Sequence, residues 1–254
     1  MKEFLFQKKK DLIKRFSLFK IKMQRLFVSN TLEGDEFYNV PIIINNRNRY
    51  TFLKQLISWL ENNGYKNIYI IDNQSTYRPL LDYYKTIKHK VFFLNQNVGY
   101  MALWQTPLFD QFKKSYYVYT DSDVLPLKEC PKNIIEELYR ILKRFTNIEK
   151  AGVALKIDDI PEQYRHKTEV IRIETNWWKE EVGKNIYNAP VDTTFALYRP
   201  FAKGNAEECN AYRAAGNLMF MHQPWYENSD SPAEEDIYYK NSVSKSSSYW
   251  LNFK

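Results

Sequence analysis

The sequence predicts an α/β fold: a central, mostly parallel sheet flanked by helices in one body, preceded by a basic amphipathic helix. Three observations carry that expectation. From residue 40 to residue 157, short β-branched and aromatic runs alternate with longer segments of helical character, the rhythm of βαβ units. Each segment between successive runs is long enough to hold a crossover helix, which parallel pairing requires. The first 28 residues, by contrast, repeat apolar side chains at helical spacing among lysines and arginines.

Taken in order, residues 40–45 read as a strand and 50–62 as a helix, closed by Gly64 in a C-cap position. Residues 67–72 make a second strand, 79–88 a second helix and 91–94 a third strand. A helix is expected over 101–114, a strand over 116–120, a helix opened by proline over 131–147, and a fifth strand over 151–157. Beyond residue 158 the rhythm changes. Segments rich in Trp, Tyr, Asn and Pro, such as 175–178 and 187–190, suggest loops and short helices around one more strand at 193–198. The Ser-rich stretch 242–248 is expected to be mobile. Residues 1–36 thus form an arm and linker and 37–254 the body.

Composition narrows the function. A chain of 254 residues with 44% hydrophobic content can bury a proper core, and 20 Tyr and 16 Phe make it rich in aromatic groups. Seven glycines, none in a G-x-G-x-x-G or Walker A pattern, argue against a glycine-built phosphate cradle. Only Cys130 and Cys209 are present, without paired spacing, so neither a disulfide framework nor a cysteine zinc site is implied, and a reducing cytoplasm fits. Nine basic residues against Glu3 and Asp11 in residues 1–28 account for the whole net charge of +7, and the remainder balances 28 against 28. The body therefore offers no net pull on a polyanion, which argues against nucleic acid as a partner.

In the arm, Leu5, Leu12, Phe16, Phe19, Met23 and Leu26 share one helical face, bordered by Lys9 and Lys20, with Lys10, Lys14 and Arg25 roughly opposite. Such a helix can lie on an anionic leaflet, each basic residue contributing about 1 kcal/mol. The alternative is a helix packed on the body or on a partner. No apolar run approaches the length of a spanning helix, and no unbroken secretory h-region opens the chain.

Chemistry concentrates in Asp121-Ser122-Asp123-Val124, directly after the strand-like run 115–120. Open α/β sheets bind ligands at the carboxyl ends of their strands, and two acids there repel unless a proton or cation intervenes. Carboxylate oxygens suit Mg²⁺ or Mn²⁺, ions that keep positions open for a substrate's phosphates. The plain alternative is a solvated pair opening a turn ahead of Pro126.

With its neighbours in order, this motif resembles that of the GT-A nucleotide-sugar glycosyltransferases, of the bacterial family 2 type. The resemblance runs from residue 40 to about residue 226. Val40-Pro41-Ile42-Ile43-Ile44-Asn45-Asn46-Arg47-Asn48-Arg49 looks like the family's first strand and turn, and Ile68 to Thr76 like its second strand with an Asp and Ser-Thr. Asn95-Gln96-Asn97-Val98-Gly99 matches its Asn-x-Gly loop, and Asp121-Ser122-Asp123 falls where it carries D-x-D. A Rossmann-like GT-A fold is thereby implied. So is a donor nucleotide, UDP by first choice, near Asn46, Arg47, Asp72, Asn97, Gly99 and Asp121. Arg47 stands where many relatives have a Tyr, and a planar guanidinium can stack on a base or pair with phosphate. Asp72 reads equally as a turn cap over Ser75 and Thr76.

His222, in Met221-His222-Gln223-Pro224-Trp225, resembles the family's late metal-binding His, which would complete a site of Asp121, Asp123 and His222 and favour Mn²⁺ over Mg²⁺. Asp192 is the candidate acceptor base, with Glu207 and Glu208 competing for the role. Trp177, Trp178, Trp225 and Tyr226 offer platforms for sugar rings or simply pack the core, while His89 and His166 read as surface groups. The resemblance implies transfer of a sugar from a nucleotide donor to a glycan or glycolipid acceptor in bacterial surface polysaccharide synthesis, with 37–125 binding the donor and 126–254 the acceptor. Location in the cytoplasm, peripheral to the inner face of the cell membrane, would follow. A metal-dependent nucleotidyltransferase and an inactive sugar-binding or scaffold protein stay open as alternatives.

Overall fold

The computed structural model describes residue 8 and residues 19–28, 31–204 and 210–242. Most of the arm, Glu207, Glu208 and the Ser-rich stretch from 243 on lie outside the described residues.

Strands β1 (Ile42–Asn46), β2 (Ile68–Asp72), β3 (Lys90–Phe93) and β4 (Tyr117–Asp121) form the parallel half of a nine-stranded sheet. β6 (Lys150–Val153), β7 (Glu181–Gly183), β8 (Ile186–Asn188), β9 (Ala196–Tyr198) and β10 (Ala211–Ala214) complete it in the order β3-β2-β1-β4-β9-β6-β10-β8-β7. β9 and β8 run antiparallel to both of their neighbours, so the other seven strands share one direction. A separate two-stranded ribbon joins β5 (Val124–Pro126) to β11 (Phe220–His222).

Both faces of the sheet are covered, as a parallel sheet demands. Ile42, Ile44, Ile70 and Val118 point into one core, and Ile43, Ile71, Tyr117 and Tyr119 into the other. Helix α1 (Glu36–Asn39) leads into β1. Helix α2 (Thr51–Asn62) buries Leu53, Leu56, Ile57 and Leu60 on one stripe and stops before Gly64, whose φ of +88° suits glycine. Helix α3 (Arg78–Tyr84) is shorter than its sequence pattern. The helix expected over 101–114 is two short ones, α4 (Ala102–Gln105) and α5 (Phe109–Phe112). Thr106 is extended at ψ 162°, as the residue before Pro107 must be to avoid the ring. Helix α6 (Ile134–Arg144) carries Glu136 and Glu137 in its first turn and Lys143 and Arg144 in its last, complementing its dipole.

The second half is more ordered than its composition suggests. Tyr187 and Asn188 lie in strand β8 instead of a loop, the strand expected over 193–198 is only Ala196–Tyr198, and that over 151–157 is Lys150–Val153. Helices α7 (Lys167–Glu174) and α8 (Glu234–Ser242) complete it. His89 is buried, with Nε2 3.0 Å from Glu61 Oε1, and so is not a surface group. In the arm, residues 19–25 are helical and Arg25 is tied to the body through Glu149 and the Pro200 carbonyl. Four of its described apolar side chains face away: Phe19, Met23, Leu26 and Phe27 are 61, 43, 72 and 84% exposed.

Candidate active site

Register brings the expected residues to one edge. Asn46 stands opposite Asp72 and Asn45 opposite Asp121, so β1, β2 and β4 end together. Ser122, the buried middle residue of the Asp-Ser-Asp motif, donates to Asn46 Oδ1 at 2.6 Å. Asn46 Nδ2 donates to Tyr84 OH at 2.9 Å, and Tyr84 OH to Asp72 Oδ1 at 3.1 Å. Burial, and then the charge of Asp72, hold the Tyr84 phenol well above its usual pKa, so it remains a donor. Asp72 Oδ2 accepts from the Ser75 amide at 2.9 Å. Asp72 thus caps the turn after β2, the alternative its sequence context offered, and Asn46 and Asp72 act as the frame of the edge.

The loop after β1 is held from both sides. Asn48, at φ +52°, accepts from the amides of Thr76 and Tyr77 at 2.7 and 3.0 Å and so caps the start of α3. Arg47 donates to the Ser242 carbonyl at 2.8 Å, while its buried Nε has no hydrogen-bond partner. Arg49 pairs with Asp236, lies 3.7 Å from Glu227 Oε1, and stacks 3.9 Å from the Tyr239 ring centroid. Glu235 accepts from the amides of Tyr50 and Thr51, which open α2. Helix α8 is therefore docked against this loop by residues no motif identified. Burial, then Asp236, push the Glu227 carboxyl up to about 8.

The Asn97 and Gly99 loop hangs from the turn after β2. Asn73 donates to the Gly99 carbonyl and accepts from the Val98 amide, each at 2.8 Å, and Asn97 Oδ1 accepts from the Gly99 amide at 2.9 Å. Gly99 needs its φ of +78°, although a Cβ there would meet nothing within 4 Å.

Asp121 closes β4 and is joined to Thr193 twice: its amide donates to the Thr193 carbonyl at 2.7 Å, and Thr193 Oγ1 donates to Asp121 Oδ2. Burial, then the charge of Asp123, raise the Asp121 carboxyl well above the usual range. The β5–β11 ribbon brings His222 opposite Val124, with Nε2 3.6 Å from Asp123 Oδ2, and the His222 ring packs 4.6 Å from that of Trp225. Burial lowers the His222 pKa against the raising effect of Asp123, so the ring is neutral at neutral pH. Asp192 is exposed, and its charge bears on both Asp121 and His222.

Among the described residues, no three His, Cys, Asp or Glu side chains stand close enough together to hold a metal ion. Asp123 meets His222, and Asp121 is engaged by Thr193. Yet Asp123 Oδ1 and His222 Nδ1, both shielded from solvent, have no hydrogen-bond partner. A carboxylate oxygen and an imidazole nitrogen are donor types that a divalent cation accepts, but the ring nitrogen nearest Asp123 is Nε2 and Asp121 is turned to Thr193, so a third ligand joins them only if Asp121 leaves Thr193.

Of the aromatic candidates, Trp225 is core, at 1% exposure. Tyr226 donates to Asp159 at 2.5 Å, Trp178 packs edge-on against Tyr187, and Trp177 lies over the Arg213 guanidinium at 5.6 Å.

No protein-family model matches the sequence, and no curated protein matches it. Among solved structures the chain is similar to GalNAc-T7 with UDP, GalNAc and Mn²⁺, at 11% identity and a TM-score of 0.46, over 72% of this chain and 43% of that one. It is also similar to an apo UDP-glucose pyrophosphorylase, at 8% identity and a TM-score of 0.39, over 80% of this chain and all of the other. The chain spans less than half the length of the transferase it matches.

Proposed function

We propose that the protein is a metal-dependent glycosyltransferase of the GT-A type, taking a sugar from a nucleotide donor, UDP-linked by first choice, to a glycan or glycolipid acceptor. The observation that carries this reading is the meeting of Asp123 with His222 beside Asp121, at the edge where β1, β2 and β4 end, with orphaned acceptor atoms on Asp123 and His222. Asp121, Asp123 and His222 would hold Mn²⁺ or Mg²⁺. When bound, that ion supplies charge neutralisation for the departing nucleoside diphosphate. Arg47, with its unpartnered Nε, and the Asn97–Gly99 loop flank the place for the nucleotide. Asp192, exposed beside Asp121 and His222, accepts the proton of the acceptor hydroxyl if the transfer inverts configuration.

The arm completes the reading. Four outward-facing apolar side chains in a basic segment suit an anionic membrane surface, and surface polysaccharide assembly is the setting where such an acceptor is met. A screen of nucleotide sugars for Mn²⁺-dependent donor hydrolysis tests the transferase reading without knowledge of the acceptor. Release of UDP from at least one UDP-sugar, lost in Asp123→Ala, is expected. Pyrophosphate-dependent cleavage of the donor to UTP in place of hydrolysis would point to a nucleotidyltransferase instead.

A further inference from the structure

Two buried cations grip consecutive backbone carbonyls just ahead of Asp192. Arg213, on β10 and 5% exposed, donates from Nε to the Pro190 carbonyl at 2.6 Å and from Nη1 to Glu174 Oε2 at 2.6 Å. Lys150, on β6 and fully buried, donates from Nζ to the next carbonyl, that of Val191, at 2.5 Å and to Tyr198 OH at 3.2 Å. On the other side of Asp192, Thr193 is bonded to Asp121 through both its backbone and its side chain. Packing closes the remaining freedom: a Cβ built on Gly152 of β6 would lie 2.4 Å from Val191 Cγ1, so the segment rests directly on the strand. Val191 and Thr193 are buried, and Asp192 between them is exposed.

Placing an ammonium and a guanidinium inside a sheet is unfavourable unless each finds strong acceptors. Here both charges are used on two successive peptide groups of one short segment, which fixes the backbone leading to Asp192 from two strands at once. We propose that Lys150 and Arg213 are positioning residues, which lock residues 190–193 so that the Asp192 carboxylate stands at a set place beside Asp121 and His222. The catalytic consequence rests on the transferase reading above; the clamp itself does not.

The test therefore has two arms. In hydrogen exchange of the full chain, Lys150→Met and Arg213→Gln accelerate the amides of Asp121 and Val153, which donate to the Thr193 and Phe195 carbonyls, at least about 10-fold, while those of β1, β2 and the rest of β4 keep their protection. Gly152→Ala, which displaces Val191 without touching a charge, does the same, and Arg213→Lys restores part of the protection. These two milder variants decide the matter if Lys150→Met does not fold. In steady-state assays with the donor found by the hydrolysis screen, the variants lower kcat about 10- to 100-fold with donor KM unchanged, as displacement of a reacting group by about 1 Å does. Unchanged exchange at Asp121 and Val153 overturns the clamp. So does acceleration spread through the whole sheet in Gly152→Ala and Arg213→Lys, or a rise in donor KM with kcat intact. If the wild type hydrolyses no nucleotide sugar, the transferase reading fails, and the exchange arm alone still decides the clamp.

Discussion

Tyr84 joins the ends of β1 and β2: its hydroxyl accepts from Asn46 and donates to Asp72, and Asn46 in turn accepts from Ser122 between the two acids of the motif. Removing it leaves a buried amide and a buried carboxylate each short of a partner, so Tyr84→Phe costs about 1–3 kcal/mol in a urea melt. Nothing in the sequence marked this residue, because its partners lie 12 and 38 positions away and a Tyr on an amphipathic helix reads as ordinary packing. The nearness of Asp123 to His222 across the β5–β11 ribbon is a matter of fold, which the separate motifs of the sequence only suggest. The double role of Thr193 was not legible, since a Thr opening a strand is unremarkable. Glu227 makes a second residue-scale prediction. Its carboxyl, facing Arg49, Asp236, Lys240 and Tyr164, is pushed up to about 8, so the folded chain keeps a proton that the unfolded chain releases near the usual Glu value of about 4.3. Stability from this group is full below that value and declines as pH rises toward 8, by up to about 1.4 kcal/mol per unit. Glu227→Gln therefore melts with the wild type near pH 4 and several degrees above it at pH 8, and a parallel decline in both would contradict the assignment.

Among elements, β1 to β4 were visible because each has an apolar, β-branched or aromatic stretch and long crossovers separate them; the short helix Glu36–Asn39 and strand Val124–Pro126 carry no such signal, and Pro107 split one helix by forcing Thr106 out of helical geometry. Strands β7, β8 and β11 are three residues each, too short for any alternation to register against a background rich in Tyr and Asn. Helix α8 is legible only in space, where Glu235 caps α2, Asp236 holds Arg49 and Ser242 receives Arg47 and Asn48. Among the described residues of the arm, Arg25 is tied to Glu149 and to the Pro200 carbonyl while Phe19, Met23, Leu26 and Phe27 face out. Deleting residues 1–28 accordingly abolishes sedimentation with anionic liposomes and leaves thermal stability of the body within a few degrees; undiminished binding would remove the membrane role.

For the whole molecule, seven strands of one direction present their carboxyl ends on one edge, and the chain sends Asp121, Asp123, Asp192 and His222 there from three separate segments. Burial and the neighbouring Asp123 charge are met there by an Asp121 carboxyl that resists ionisation. The most direct measure of the account is calorimetric titration of UDP into the wild type and Asp123→Ala, each with and without Mn²⁺. The account predicts that Mn²⁺ tightens UDP binding to the wild type by at least about 10-fold, some 1.4 kcal/mol, and that Asp123→Ala removes the gain. UDP affinity indifferent to both the ion and the substitution would contradict it.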